Sequence, residues 1–185
     1  MALLKVTDNP KDLKGAEKLV LPGVGSFQDA MEGLRQRNLI EPIKGWIRSG
    51  KPFLGICLGL QLLFSMGYED GEHDGLDIIP GKVVRFDFSE DKENGKLKIP
   101  HIGWNQIRIR NEPAPILKNV PNNAYMYFVH SYYVCPDNDG VIATETDYGV
   151  RFTSMIWCKN IFATQFHPEK SQQWGLTILK NFGDL

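Results

Sequence analysis

The stretch Lys51-Pro-Phe-Leu-Gly-Ile-Cys57-Leu-Gly-Leu-Gln61-Leu-Leu-Phe64 decides the fold. Pro52 to Ile56 is an apolar run of strand length. Directly after Cys57, the residues Leu58, Leu62, Leu63 and Met66 recur at spacings that predict a helix with one broad apolar side. Between them, Gly55-Ile56-Cys57-Leu58-Gly59 has the form Gly-x-nucleophile-x-Gly. This is a cysteine version of the strand-to-helix elbow that lifts a reactive side chain clear of a sheet. Glycines suit positions 55 and 59, where such a turn leaves no room for a Cβ. A thiol at a helix N-terminus meets free N–H groups and the positive end of the dipole, so its pKa is expected to fall. The alternative reading is a buried structural cysteine at an ordinary strand–helix corner.

Upstream, Ala2 to Thr7 reads as a strand, Asp8-Asn9-Pro10 as a turn, and Lys11 to Ala16 as a short helical turn. Lys18 to Leu21 is a second strand ending in Pro22-Gly23-Val24-Gly25. Ser26 is an N-cap, with Asp29 three residues on, for a helix to about Arg35. A further helix is expected from Ile40 to Arg48, with Pro42 in its first turn and Gly50 as its stop. Strand alternating with helix predicts a parallel sheet covered on both faces.

Downstream, Tyr68 to Gly75 is an acidic loop, Gly81 to Phe88 a strand, and Ser89 to Lys96 a charged loop. Strand character returns over Ile99 to Arg110, then over a long aromatic run from Tyr125 to Cys135, and over Val141 to Glu145. Phe152 to Cys158 and Ile161 to Phe166 read as a hairpin turned at Lys159-Asn160. A final helix is expected from Gln172 to Phe182. The whole is one α/β domain, parallel first and antiparallel later.

Composition narrows the function. The chain has 185 residues, 42% of them hydrophobic, which suffices for one sizeable core. A formal net charge of −1 with mixed signs gives no nucleic-acid surface. Three cysteines, with no CxxC spacing, argue against a disulfide framework or zinc ribbon and for a reducing, cytoplasmic setting. No run has the length of a membrane span, and no signal-peptide pattern opens the chain. Gly23-Val-Gly25 is not a nucleotide loop, because neither dinucleotide nor P-loop spacing is present. Nothing calls for a metal or a cofactor.

The second chemical stretch is Ala163-Thr-Gln-Phe-His167-Pro-Glu169-Lys170-Ser171. Residues two apart in an extended segment share a side, so His167 and Glu169 are expected to face one site, with Pro168 keeping the segment extended. A thiol nucleophile needs a base, and the base needs an orienting group. Cys57, His167 and Glu169 supply these three roles.

Pro22-Gly-Val-Gly-Ser-Phe27, Gly55-Ile-Cys-Leu-Gly-Leu-Gln61 and Phe166-His-Pro-Glu-Lys-Ser171 together resemble the class I glutamine amidotransferases, whose fold is flavodoxin-like. Ile99-Pro-His-Ile-Gly-Trp-Asn105 and Tyr127-Phe-Val-His-Ser-Tyr132 narrow the resemblance to the glutaminase subunits of imidazole glycerol phosphate synthase, a branch of histidine biosynthesis. The likeness runs from Val6 to the end of the chain.

The resemblance implies that Cys57 attacks the amide of L-glutamine to form a thioester and release ammonia. His167 would act as base and acid, with Glu169 holding it. The N–H of Leu58 and the loop Gly23, Val24 and Gly25 would stabilise the oxyanion, and a peptide turning in that loop would open the activity to a partner's signal. Gln61 would hold the amino-acid end of the substrate, beside His130, Ser131 and Tyr132. His101, Trp104, Tyr127 and Lys170 match positions facing a β/α-barrel cyclase subunit, which receives the ammonia. Taken without the resemblance, Trp104 and Tyr127 read as core aromatics, His130 as a packed histidine and Lys170 as a surface charge. An amidotransferase for another acceptor, a non-catalytic binding subunit and a cysteine peptidase are the competing functions. Members of the branch carry one more strand and helix ahead of Ala2, on the order of 25 residues.

Overall fold

The computed structural model describes residues 4–89, 97–110 and 113–185. Two neighbouring parallel pairings organise it. Strand β1 (Leu19–Gly23) runs alongside β2 (Phe53–Cys57), with Gly23 level with Cys57. On the other side of β2 lies the late strand β12 (Ile161–Thr164), also parallel, with Thr164 level with Ile56. The crossover from β1 to β2 is made by α1 (Phe27–Gln36) and α2 (Ile40–Arg48). Ser26 caps α1 by accepting from the Asp29 N–H at 3.1 Å, as its sequence signature predicts. Phe27, Met31 and Leu34, then Ile43, Trp46 and Ile47, form the buried stripes of the two helices and pack on the face of the sheet that shows Phe53. The opposite face shows Leu54 and Ile56 and is covered by Ile178 and Phe182 of α4 (Gln172–Gly183). Helices thus cover both faces of the parallel portion, the expected α/β architecture.

The antiparallel extension continues from β12. Strand β11 (Val150–Cys158) forms the hairpin with β12, and β10 (Ile142–Tyr148) lies antiparallel to β11. Beyond β11 come β9 (Tyr132–Pro136), β5 (Ile79–Arg85), β3 (Phe64–Gly67) and the two-residue β4 (His73–Asp74), with β7 (Arg108–Ile109) beside β10. A separate ribbon pairs β6 (His101–Gln106) with β8 (Tyr125–His130), setting Trp104 opposite Tyr127. Pro10–Gly15 makes the expected short helical turn.

Three expectations are corrected. The helix after Cys57 is a single turn, α3 (Leu58–Gln61), and Phe64 already lies in a strand. Leu58 to Phe64 are all buried, so periodicity cannot separate helix from strand there. The carbonyls of Leu62 and Leu63 instead accept from Leu76, Ile78 and Ile79 at 2.8 to 3.0 Å, which ends the helix. The run from Tyr125 to Cys135 breaks at Ser131, whose carbonyl accepts from Phe86, and its halves join different sheets. Leu4 to Thr7 form no strand, and Leu4 and Val6 are 84% and 91% exposed. Strand β1 pairs only with β2 among the described residues, and Leu4 to Thr7 do not add to its other edge. Positions 2 and 3 of that expected strand, and positions 90 to 96 of the charged loop, lie outside the described residues.

Candidate active site

The three parallel strands end side by side, and each end delivers one part of a site. This is where open α/β sheets gather their ligands. From β2 comes Cys57, with φ 55° and ψ −109°, a left-handed conformation that a non-glycine residue adopts at a cost. The elbow is held by close backbone approach. A Cβ on Gly59 would lie 1.9 Å from the carbonyl oxygen of Leu21, and one on Gly55 would lie 2.7 Å from the carbonyl oxygen of Gly59. Only glycine lets α3 press this tightly against β1 and β2.

From β12 comes His167, 4% exposed, whose Nδ1 lies 2.8 Å from Oε1 of Glu169. The carboxylate accepts, so Nδ1 carries the proton and Nε2 keeps a free lone pair. That Nε2 is buried and has no hydrogen-bond partner among the described residues. The expected extended geometry is corrected here: Pro168–Lys170 form a 3-10 turn, and the turn brings Glu169 back to the imidazole. The segment is clamped on two sides. The His167 N–H donates to the Tyr127 carbonyl at 2.9 Å, and the buried Ser171 hydroxyl donates to the His167 carbonyl at 2.6 Å. Gly175 of α4 packs so near the Pro168 carbonyl that a Cβ would come within 1.9 Å of it.

From β1 comes the loop Pro22-Gly23-Val24-Gly25. Pro22, Gly23, Val24, Ile56, His167, Glu169, Lys170 and Leu179 line one cavity of about 260 Å³. Val24 is 84% exposed, while Gly25 has φ 95° and lies outside that lining. The cavity joins His167, Glu169 and the glycine loop, and Cys57 follows directly on Ile56.

The thiol departs from expectation. Burial pushes the Cys57 thiol up to about 11, and the nearby Glu169 charge pushes the same way. The Leu58 N–H, the Gln165 amide and the Lys170 charge act in the opposite sense. Desolvation therefore outweighs the helix end, which is only one turn long. A thiol held neutral needs its proton removed by a base as it reacts.

Other expected site residues are placed differently. Gln61 does not line the cavity; its Nε2 donates to the Tyr132 carbonyl at 3.2 Å and to Oε1 of Gln165 at 3.1 Å. His130 is buried and packs against Phe86, Phe128 and Phe152, so it is the packed histidine of the simpler reading. Ser131 and Tyr132 are half-buried beyond the lining. His101 is corrected outright as a surface contact: it is 3% exposed, stacks on Tyr148 with centroids 4.0 Å apart and contacts His130. Trp104, 45% exposed, and Tyr127 do face outward, their rings 6.0 Å apart, with the Lys170 Nζ 5.9 Å from the Tyr127 ring. Sequence reasoning missed Gln165, fully buried beside Cys57. An amide near the end of the mostly apolar run Ile161 to Phe166 was the available signal.

Comparisons with known proteins identify the family. The class I glutamine amidotransferase family profile matches residues 3–184. An imidazole glycerol phosphate synthase subunit HisH from Syntrophotalea carbinolica is 55% identical over 181 residues, spanning 98% of this chain and 87% of that protein. The subunit of the same name from Aquifex aeolicus is 52% identical over 167 residues, 90% of this chain and 77% of that one. Among solved structures, a glutamine amidotransferase superposes with TM-score 0.70 at 16% identity, covering 97% of this chain and 86% of that one. The glutaminase domain of Trypanosoma brucei CTPS, solved with bound acivicin, gives TM-score 0.62 at 16% identity over 95% and 74% of the two chains. The strand-end site and the family match lead to one conclusion: this chain belongs to the class I glutamine amidotransferases.

Proposed function

We propose that this chain is the glutaminase subunit of an imidazole glycerol phosphate synthase, acting in the cytoplasm with a β/α-barrel cyclase subunit. The observation that carries the assignment to this branch is the 55% identity to a HisH subunit over 98% of the chain. The exposed aromatic ribbon beside the site supports a partner there, with Trp104, Tyr127 and Lys170 in contact with the cyclase.

In the mechanism, Nε2 of His167 takes the Cys57 thiol proton as sulfur attacks the side-chain carbonyl carbon of L-glutamine. The oxyanion is held by the Leu58 N–H and by an N–H of the Gly23-Val24-Gly25 loop. The imidazolium, steadied by Glu169, returns the proton to the departing nitrogen and ammonia leaves. Water, deprotonated by His167, then attacks the thioester, and glutamate and the free thiol are restored. The ammonia passes to the cyclase subunit.

Glutamate release by the purified chain, alone and with a cyclase subunit and its nucleotide ligand, tests this. Strong release in the mixture, abolished by Cys57→Ala with partner binding intact, is expected. Release that survives Cys57→Ala, or that ignores the cyclase subunit, overturns the proposal.

A further inference from the structure

We propose that Gln165 is a further catalytic residue, a fixed hydrogen-bond donor to the sulfur of Cys57. Its Nε2 lies 3.8 Å from the Cys57 Sγ, within reach of an N–H···S bond, and its side chain is fully buried. The role rests on Cys57 being the nucleophile of the proposed glutaminase. Which end of an amide faces a neighbour is settled by the hydrogen-bond network around it.

Here the network leaves one solution. The Tyr132 carbonyl only accepts, so the Gln61 atom beside it is the NH2 group. That same group faces Gln165 at 3.1 Å, so Gln165 must present its carbonyl oxygen to it. The remaining end of Gln165, its NH2 group, is the one turned to sulfur. The Tyr132 carbonyl is itself held from the other side. Nδ1 of His130 lies 2.8 Å from it and must donate, which leaves His130 Nε2 to accept from Nδ1 of His101 at 3.0 Å. His101 Nε2 then accepts from the Asn105 amide at 3.3 Å. The Asn105 orientation agrees: its NH2 also donates to the Asp147 carbonyl, and its oxygen accepts from the Gln106 N–H. Burial favours the neutral form of both histidines. Every group in the chain has one consistent role, and the chain ends on a donor aimed at the nucleophile.

A donor at sulfur stabilises thiolate over thiol, and it matters most where burial opposes ionisation. As the Cys57 proton moves to His167, the Gln165 bond strengthens. Gln61 then sets the direction of Gln165.

The test is the pH dependence of Cys57 alkylation by iodoacetamide, followed by mass spectrometry on the folded chain from neutral to alkaline pH. Gln165→Met removes the donor and is expected to move the midpoint upward by about one pH unit, lowering the neutral-pH rate about tenfold. Gln165→Glu puts a negative acceptor at the sulfur and should move it further. Gln61→Met keeps Gln165 but frees it to turn, and should give a smaller upward shift; it decides the matter if the Gln165 variants do not fold. A merely structural role would alter the limiting alkaline rate and leave the midpoint in place. Unchanged midpoints in the folded variants overturn the proposal. Because the readout needs neither glutamine nor the cyclase subunit, loss of the glutaminase reading would leave it separately decided.

Discussion

The peptide of Tyr127 holds the segment of His167 at two points: its carbonyl accepts from the His167 N–H at 2.9 Å, and its N–H donates to the Ser171 hydroxyl at 3.0 Å. Since Ser171 also donates to the His167 carbonyl, the outward ribbon and His167 share one buried hydroxyl. Ser171→Ala takes the hydroxyl acceptor from the Tyr127 N–H, while the His167 carbonyl keeps the Lys170 N–H at 3.0 Å, and should cost about 1–3 kcal/mol in denaturant titration. Its kcat for glutamine should fall several-fold with little change in KM, since the base is misplaced rather than removed.

Within the triad the expected order of damage follows role. His167→Ala should reduce glutamine hydrolysis nearly as far as Cys57→Ala. Glu169→Ala should cost less, because Glu169 orients the imidazole through one 2.8 Å bond and is itself exposed. Steady-state kinetics of the three variants, each saturated with the cyclase subunit, checks the order.

Backbone contact at the elbow predicts a stability effect. Gly59→Ala would press a methyl group into the Leu21 carbonyl, and Gly175→Ala one into the Pro168 carbonyl. Each should lower stability by about 1–3 kcal/mol or more, read as a lower thermal midpoint. Gly15→Ala, where a Cβ meets nothing within 4 Å, is the control.

The His101–His130 pair predicts an acid-side loss of stability. Burial lowers their pKa values from 6.5 to about 4 and about 3 in the fold. Below 6.5 the unfolded chain binds protons that the folded chain refuses. Their contribution is therefore complete above pH 6.5 and is lost progressively as the pH falls toward those folded values. Each histidine should remove at most about 1.4 kcal/mol per pH unit in that window. Denaturant midpoints at neutral and mildly acidic pH should show the slope, reduced in His101→Phe.

The outer face of the β6–β8 ribbon presents Ile102, Trp104 and Tyr125 at 59%, 45% and 55% exposure. Trp104→Ala should weaken binding of the cyclase subunit at least about tenfold, since exposed aromatics of this kind anchor interfaces. Isothermal titration calorimetry measures it, and unchanged affinity would remove this face from the interface.

Much of this arrangement was legible in the residues, and the misses have physical causes. Ser26 with Asp29 announced α1, and Lys159-Asn160 announced the β11–β12 hairpin, because caps and tight turns are written locally. The elbow at Cys57 was readable from glycine placement, and the meeting of His167 with Glu169 from their spacing. The end of α3 was not readable: Leu62 and Leu63 are stopped by the returning segment of Leu76 to Ile79, a distant partner. The inward turn of His101 depends on its place in a ribbon, where one residue of register decides between core and surface. The direction of the Cys57 shift was missed because helix-end electrostatics can be inferred from sequence, whereas the degree of burial is a property of the whole fold.

The central position of β12 bears on how the protein is made. Cys57 and Gln165 are 108 positions apart, yet they meet because a late strand slots between β2 and β11. During synthesis β2 is extruded well before that neighbour exists, and closing so long a loop slows assembly. The nascent chain thus carries Cys57 without Gln165 and His167 until β12 enters the sheet. On the proposed mechanism, a partly made chain is therefore not expected to hydrolyse glutamine before β12 is in place.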